Sequence, residues 1–139
     1  VSEKKKMTII VFSGDMDKAY AAFILASSAA AMDMDVTMFF TFWGLNLLKK
    51  GGLQKAPLSK MNMFGLGKMM MQKNMEDANV MSLEALFRDA RELGVKMLAC
   101  SMTMDVMGIS KEDLVEVDGY VGAVEYLSHA KESQINLFI

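Results

Sequence analysis

The chain has 139 residues, enough to close one core over a sheet and too few for two independent domains, so a single domain over 1–139 is expected. With 53% apolar and 23% charged residues and a formal net charge of -2, it lacks the basic face that nucleic-acid binding requires, and the apolar excess predicts a homo-oligomer. Cys100, the one cysteine, excludes an internal disulfide, and with His129 as the one histidine no Cys/His metal quartet can form; the expected setting is a reducing cytoplasm, with no metal.

The amino end, "VSEKKKM", is basic, but the apolar segment behind it is too short for a secretory signal, and a first residue other than methionine suggests that something upstream was removed or omitted. "MTIIVFS", Met7 to Ser13, reads as a β-branched strand stopped by Gly14. A long alanine-rich helix from Asp17 to about Met32 follows, with Asp17 as its cap. Its apolar run is broken by Ser27 and Ser28 and falls short of the roughly 20 residues a bilayer span needs, so no transmembrane segment is expected.

"VTMFFTFW", Val36 to Trp43, is a second strand covered on both faces, with Phe40, Phe42 and Trp43 as core or interface aromatics near its end. Beyond Gly44 an irregular stretch at about 53–78, rich in methionine and broken by Pro57, reads as a long loop or lid. "SLEALFRDARELG" is a helix punctuated by Ser82 at its start and Gly94 at its end. "VKMLACS" then forms a third strand, "MTMDVMG" a short helix, "SKEDL" another helical turn, "EVDGYV" a short fourth strand, "GAVEYLSHAKES" a helix and "INLFI" the last strand.

Apolar strands alternating with helices imply an α/β three-layer sandwich: a Rossmann-like, mostly parallel sheet of about five strands with helices on both faces. Reactive groups in such sheets gather beyond the carboxyl ends of the strands, where Cys100 falls. If Ser101 caps the next helix, the N–H groups of Ser101 to Thr103 would favour a thiolate, the nucleophilic form. The competing reading is a small buried side chain beside Leu98 and Ala99. With no C-x-x-C, sulfur bound at Cys100 would have to be exchanged with another molecule.

Two further patterns invite chemistry. "GDMDK" sets Asp15 and Asp17 two residues apart, as in some Mg²⁺-dependent phosphoryl-transfer sites, but turn and cap roles explain both and no phosphate-cradling glycine loop accompanies them. The 16 methionines, concentrated at 61–75 and 102–107, suit core filling or a partner surface, with Cu(I) ligation or a membrane-surface contact as alternatives. His129 is placed on the exposed side of the last helix without a role.

Three blocks in order, "FSGDMDKAYAAFILASSAAAMDMDVTMFFTFWGLNLLKK", "MNMFGLGKMM" and "ACSMTMDVMGI", resemble the DsrE/DsrF/DsrH-like sulfur-relay family, in particular its DsrE2-type branch, over nearly the whole chain. The resemblance implies a homo-oligomer, a sulfur carrier or sulfurtransferase without organic cofactor, and a cysteine, Cys100 here, that takes sulfane sulfur as a persulfide from a donor protein and passes it to an acceptor. Gly14, Asp15, Trp43 and Gly44 fall in the matching blocks and, with Ser101 and Thr103, are expected to border the site.

Overall fold

The computed structural model describes residues 4–139; Val1 to Glu3 of the basic start lie outside the described residues. Five strands, β1 (Lys6–Val11), β2 (Asp35–Phe40), β3 (Lys96–Cys100), β4 (Gly119–Val121) and β5 (Ile135–Phe138), form one sheet in the order β4-β3-β2-β1-β5. Every pairing is parallel, so the expected "mostly parallel" sheet is wholly so.

The helices are α1 (Met16–Ala31), α2 (Gly52–Lys55), α3 (Leu66–Asp77), α4 (Leu83–Glu92), α5 (Ser101–Met107) and α6 (Ala123–Ala130). Strand order and the right-handed rule for parallel crossovers decide where they lie. From β1 to β3 the chain steps one way, which puts α1 and α4 on one face; the return from β4 to β5 runs the other way and puts α6 on the opposite face.

The first face holds most of the core. Ile9, Val11, Met38, Phe40, Met97 and Ala99 point into it and meet α1 and α4. Ala19, Ala22, Ala26 and Ala29 recur on one side of α1 at helical spacing, and their small side chains let the helix sit close to the sheet. Phe23 fills the centre, its ring 5.5 Å from Phe87 in an edge-on pair and 6.2 Å from Phe40. On the second face, Phe39, Leu98, Cys100 and Tyr126 form a smaller cluster. The Tyr126 ring stacks on Phe39 at 5.3 Å, and its hydroxyl lies 2.9 Å from the buried Thr8 hydroxyl. Since Thr8 gives its one proton to Asn136 Oδ1, Tyr126 is the donor to Thr8.

Five expectations need correction. The second strand stops at Phe40: Phe42 takes a left-handed φ of 49° and opens a 3-10 turn, Phe42–Leu48, so Trp43 leaves the sheet and is 59% exposed. Gly44 makes that turn possible. Its N–H donates to Phe12 O at 2.8 Å, and a Cβ there would stand 2.0 Å from the Val11 carbonyl oxygen. The supposed loop at 53–78 is largely helical, with α2, a 3-10 turn Met63–Gly65 and α3. Methionine is a good helix former, and the glycines of the stretch serve the helix entry: Gly65 has φ 96°, and a Cβ on Gly67 would strike the Met61 carbonyl.

Two of the remaining three concern helix starts. Asp15, not Asp17, is the N-cap residue of α1, and its side chain makes no capping bond. Asp17 instead accepts from the N–H of Ser59 at 2.9 Å and from its hydroxyl at 2.5 Å, tying the Pro57–Lys60 segment to the start of α1 beside the Met16 N–H to Pro57 O bond of 2.7 Å. At α5 the N-cap is Cys100, because β3 runs into the helix without a linker; Ser101 donates to Val121 O at 3.2 Å instead of capping. Ser82 does cap α4, accepting from the Ala85 N–H. His129 is half-buried rather than exposed, 3.7 Å from Glu125.

Replacing Gly44 by Ala should lower stability by about 1–3 kcal/mol through backbone overpacking, whereas Gly122→Ala, with open space at its Cβ position, should stay within about 0.5 kcal/mol; denaturant midpoints measure both. Partial burial acts to raise the Asp17 carboxyl, but the Ser59 hydroxyl and N–H, its own backbone N–H and Lys18 outweigh it and leave the carboxyl below its usual range. A depressed carboxyl stabilises the fold above its unfolded value and loses that contribution as pH falls through the folded one. Asp17→Asn should therefore flatten the acid limb of the stability profile, most visibly in proteolysis of the 57–60 segment, which should already be fast in the variant at neutral pH.

Candidate active site

The three central strands end together. The register pairs Val11 with Phe40 and Phe40 with Ala99, so one residue further on Phe12, Thr41 and Cys100 stand side by side at the carboxyl edge. Alternation along the strands turns Thr41 and Cys100 to the face that carries Phe39 and Leu98, the one covered by α6. Cys100 is both the last residue of β3 and the N-cap residue of α5, and it is 4% exposed.

Two buried threonines accompany the sulfur. Thr103, on the first turn of α5, accepts the Phe42 N–H at 2.9 Å and lies 3.1 Å from the Thr41 hydroxyl. Phe42 has left the strand ladder, and its N–H would be unpartnered without Thr103. Burial acts to raise the Cys100 thiol, but the neighbouring Thr103 and Thr41 hydroxyls, followed by the backbone N–H groups of Thr103 and Met102, act to lower it and bring it below its ordinary value. These surroundings favour the anion more than water does around a free thiol.

The other expected residues divide into neighbours and outliers. Thr103 lies on the first turn of α5, its hydroxyl against that of Thr41, the strand-end neighbour of Cys100. Ser101 follows it in the chain but faces β4 through Val121. Trp43 and Gly44 belong to the turn that Thr41 opens, and Gly14 packs under it, where a Cβ would lie 2.6 Å from the Trp43 carbonyl oxygen. Asp15 is turned elsewhere, accepting from the Ser13 hydroxyl at 2.9 Å with Lys18 at 3.8 Å. Asp15 and Asp17 have separate partners and do not converge, and among the described residues no group of three or more His, Cys, Asp or Glu is arranged to hold a metal ion.

Thr41 was missed from the sequence. Its one signal is being the single polar residue of "FFTFW", at a strand's carboxyl end.

Aromatic rings border the same edge: Phe12 lies 5.3 Å from Phe42 and 5.5 Å from Phe138, and Phe42, Trp43 and Phe138 are exposed. Elsewhere, α3 has no fully buried residue, and Met61, Met63, Phe64, Met69 and Met70 are exposed on and before it. Among the described residues no helix is long and apolar enough to cross a membrane.

The sequence matches the DsrE/DsrF/DrsH-like family over residues 3–56 and 51–138. It is 43% identical to the uncharacterized protein YrkE of Bacillus subtilis, with 99% of this chain and 98% of that protein aligned. With the sulfur carrier protein DsrE2 of Allochromatium vinosum it shares 38% identity over 99% of each chain. In three dimensions it is similar to the crystal structure of the ychN protein from E. coli, with a TM-score of 0.65, 13% identity and 99% and 100% of the two chains covered, a likeness of fold.

Proposed function

The chain belongs to the DsrE/DsrF/DrsH-like family, and from that premise we propose that it is a sulfur carrier whose working group is Cys100. The observation that carries this reading is the thiol at the carboxyl edge of the sheet and the start of α5, where Thr41 stands beside it on the next strand and Thr103 on the first helical turn, surroundings that favour its anion. The thiolate attacks the outer sulfur of a donor persulfide. The donor's S–S bond breaks, a new one forms to Cys100, and the donor leaves as a thiolate, so the sulfur moves as a neutral unit without net oxidation. An acceptor thiolate then attacks the outer sulfur of the Cys100 persulfide and restores the Cys100 thiolate. No organic cofactor or metal enters either step. Whether the chain counts as a sulfurtransferase or a carrier depends on turnover, since both run through the same two exchanges. A reducing compartment such as the cytoplasm keeps a lone thiol available for this chemistry.

A second reading is favoured by α3. A helix of 12 residues is marginal by itself in water, and this one buries none of them while presenting a row of methionines. That supports a covering partner: a further copy in a homo-oligomer, another protein, a membrane surface or, through its thioethers, Cu(I). Sedimentation of a Phe64→Asp, Met69→Asp double variant tests the first: self-association through this face predicts a lower mass than the unchanged chain gives, and equal masses would overturn it.

Intact mass spectrometry after incubation of the reduced chain with polysulfide or thiosulfate tests the carrier. The expected result is the gain of one sulfur atom, reversed by reductant and absent from Cys100→Ser. Undiminished loading of that variant would sink the proposal.

A further inference from the structure

We propose that Thr41 and Thr103 form a paired hydroxyl clamp that positions the Cys100 sulfur and offers it a hydroxyl proton when it is an anion; they are positioning residues, and their use in transfer rests on the carrier reading above. Both are buried, at 8% and 1% exposure, so each hydroxyl must find its partners inside the protein. Thr103 spends one acceptor position on the Phe42 N–H, 2.9 Å away, which pins its oxygen. The 3.1 Å contact between the two hydroxyls uses one of their two protons. The other is left over, and among the described residues no carbonyl or carboxylate accepts from either hydroxyl. The Cys100 sulfur is the acceptor placed to take it: the register sets Thr41 beside Cys100 on the neighbouring strand, and Thr103 lies on the first turn of the helix that Cys100 begins.

A threonine inside a helix ordinarily returns its hydroxyl to a carbonyl one turn back. Thr103 instead reaches across to the end of β2, which joins α5 to the neighbouring strand through the sulfur site. The pair also adjusts to the state of the sulfur. A thiol can donate its S–H to one of the threonine oxygens; when that proton leaves to water, rotation of a hydroxyl turns an O–H toward the thiolate, and no threonine bond to hydrogen is broken. In the transfer steps above, the same rotation would accompany conversion of Cys100 thiolate to persulfide and back.

The charged and titratable groups on the packed elements are engaged elsewhere. Glu125 and His129 of α6 lie 3.7 Å apart, Tyr126 is bonded to Thr8, Tyr120 of β4 lies under the Lys111 ammonium at 4.6 Å, and Asp105 of α5 is exposed. Lys96 stands at the opposite end of β3. The two hydroxyls are thus the side chains through which the sulfur's charge is held.

The experiment is a pH titration of the Cys100 thiolate by its ultraviolet absorbance, which needs no access for a reagent, on the full chain and on Thr103→Val, Thr103→Ser and Thr41→Val, with melting temperatures alongside. Thr103→Val should raise the midpoint by about one pH unit, a roughly tenfold loss of thiolate below it, with a smaller rise for Thr41→Val. Thr103→Ser, which keeps the hydroxyl and loses only a methyl, should stay close to the unchanged chain. Valine variants that melt lower but titrate at the unchanged midpoint would reduce the pair to a packing role and overturn the proposal. If Thr103→Val does not fold, Thr41→Val decides alone, and an unshifted midpoint there has the same force. Sulfur loading is scored separately: shifted midpoints without loading of the unchanged chain would overturn the carrier and keep the clamp, and loading with unshifted midpoints would do the reverse.

Discussion

Gly44 sits against the end of β1 so closely that no side chain fits between them, and much of the molecule's upper edge is arranged around that contact. Because Gly44 donates to the Phe12 carbonyl, the chain leaving β2 must fold back over its neighbour and not continue as a strand. The cost of that reversal falls on Phe42, a non-glycine residue with positive φ and an N–H that has lost its ladder partner. Thr103 meets that N–H, and in doing so brings the first turn of α5 against the end of β2. The thiol lies between the two. A backbone constraint two strands away therefore sets the surroundings of a sulfur on β3.

The two faces of the sheet carry different loads. The α1 and α4 side is packed with phenylalanine, methionine and alanine and leaves little freedom. On the other side the connection from β4 to β5 must pass the whole sheet, about 19 Å between outer strands, with an eight-residue helix only about 12 Å long. One helix of that length cannot shield a five-stranded face. It covers part of that face through Tyr126, stacked on Phe39, while Phe138 and Phe42 stay exposed at the carboxyl edge.

The features that came through from sequence were those with a strong local period or stop signal. Strands of β-branched residues ending at Gly14 or Cys100, the Ser82-capped helix and the alternation of apolar strands with helices together implied the layered sheet. The family resemblance rested on blocks long enough to be specific. What did not come through was tertiary in origin. Nothing local in "TFWG" says that the strand ends at Phe40, since the reason is the approach of Gly44 to Val11. Asp17 looked like a cap because carboxylates near helix starts usually are, and only the spatial return of Ser59 gives it another partner. Thr41 is one polar residue in an apolar run until the register sets it beside Cys100. The methionines of α3 lack the amphipathic pattern that betrays a helix, because none of that helix is buried in this chain.

The solitude of Cys100 has a kinetic meaning for a carrier. Where a second thiol stands nearby on the same chain, a persulfide is discharged within the molecule, at an effective concentration in the millimolar range. Here no such thiol exists, so under the proposed function release of the outer sulfur would be a second-order event, timed by how often an acceptor arrives. Burial reinforces this, since small stray thiols meet a sulfur with 4% exposure far less often than they meet an open one. A chain loaded as proposed would then behave as a store whose lifetime is set by the supply of acceptors.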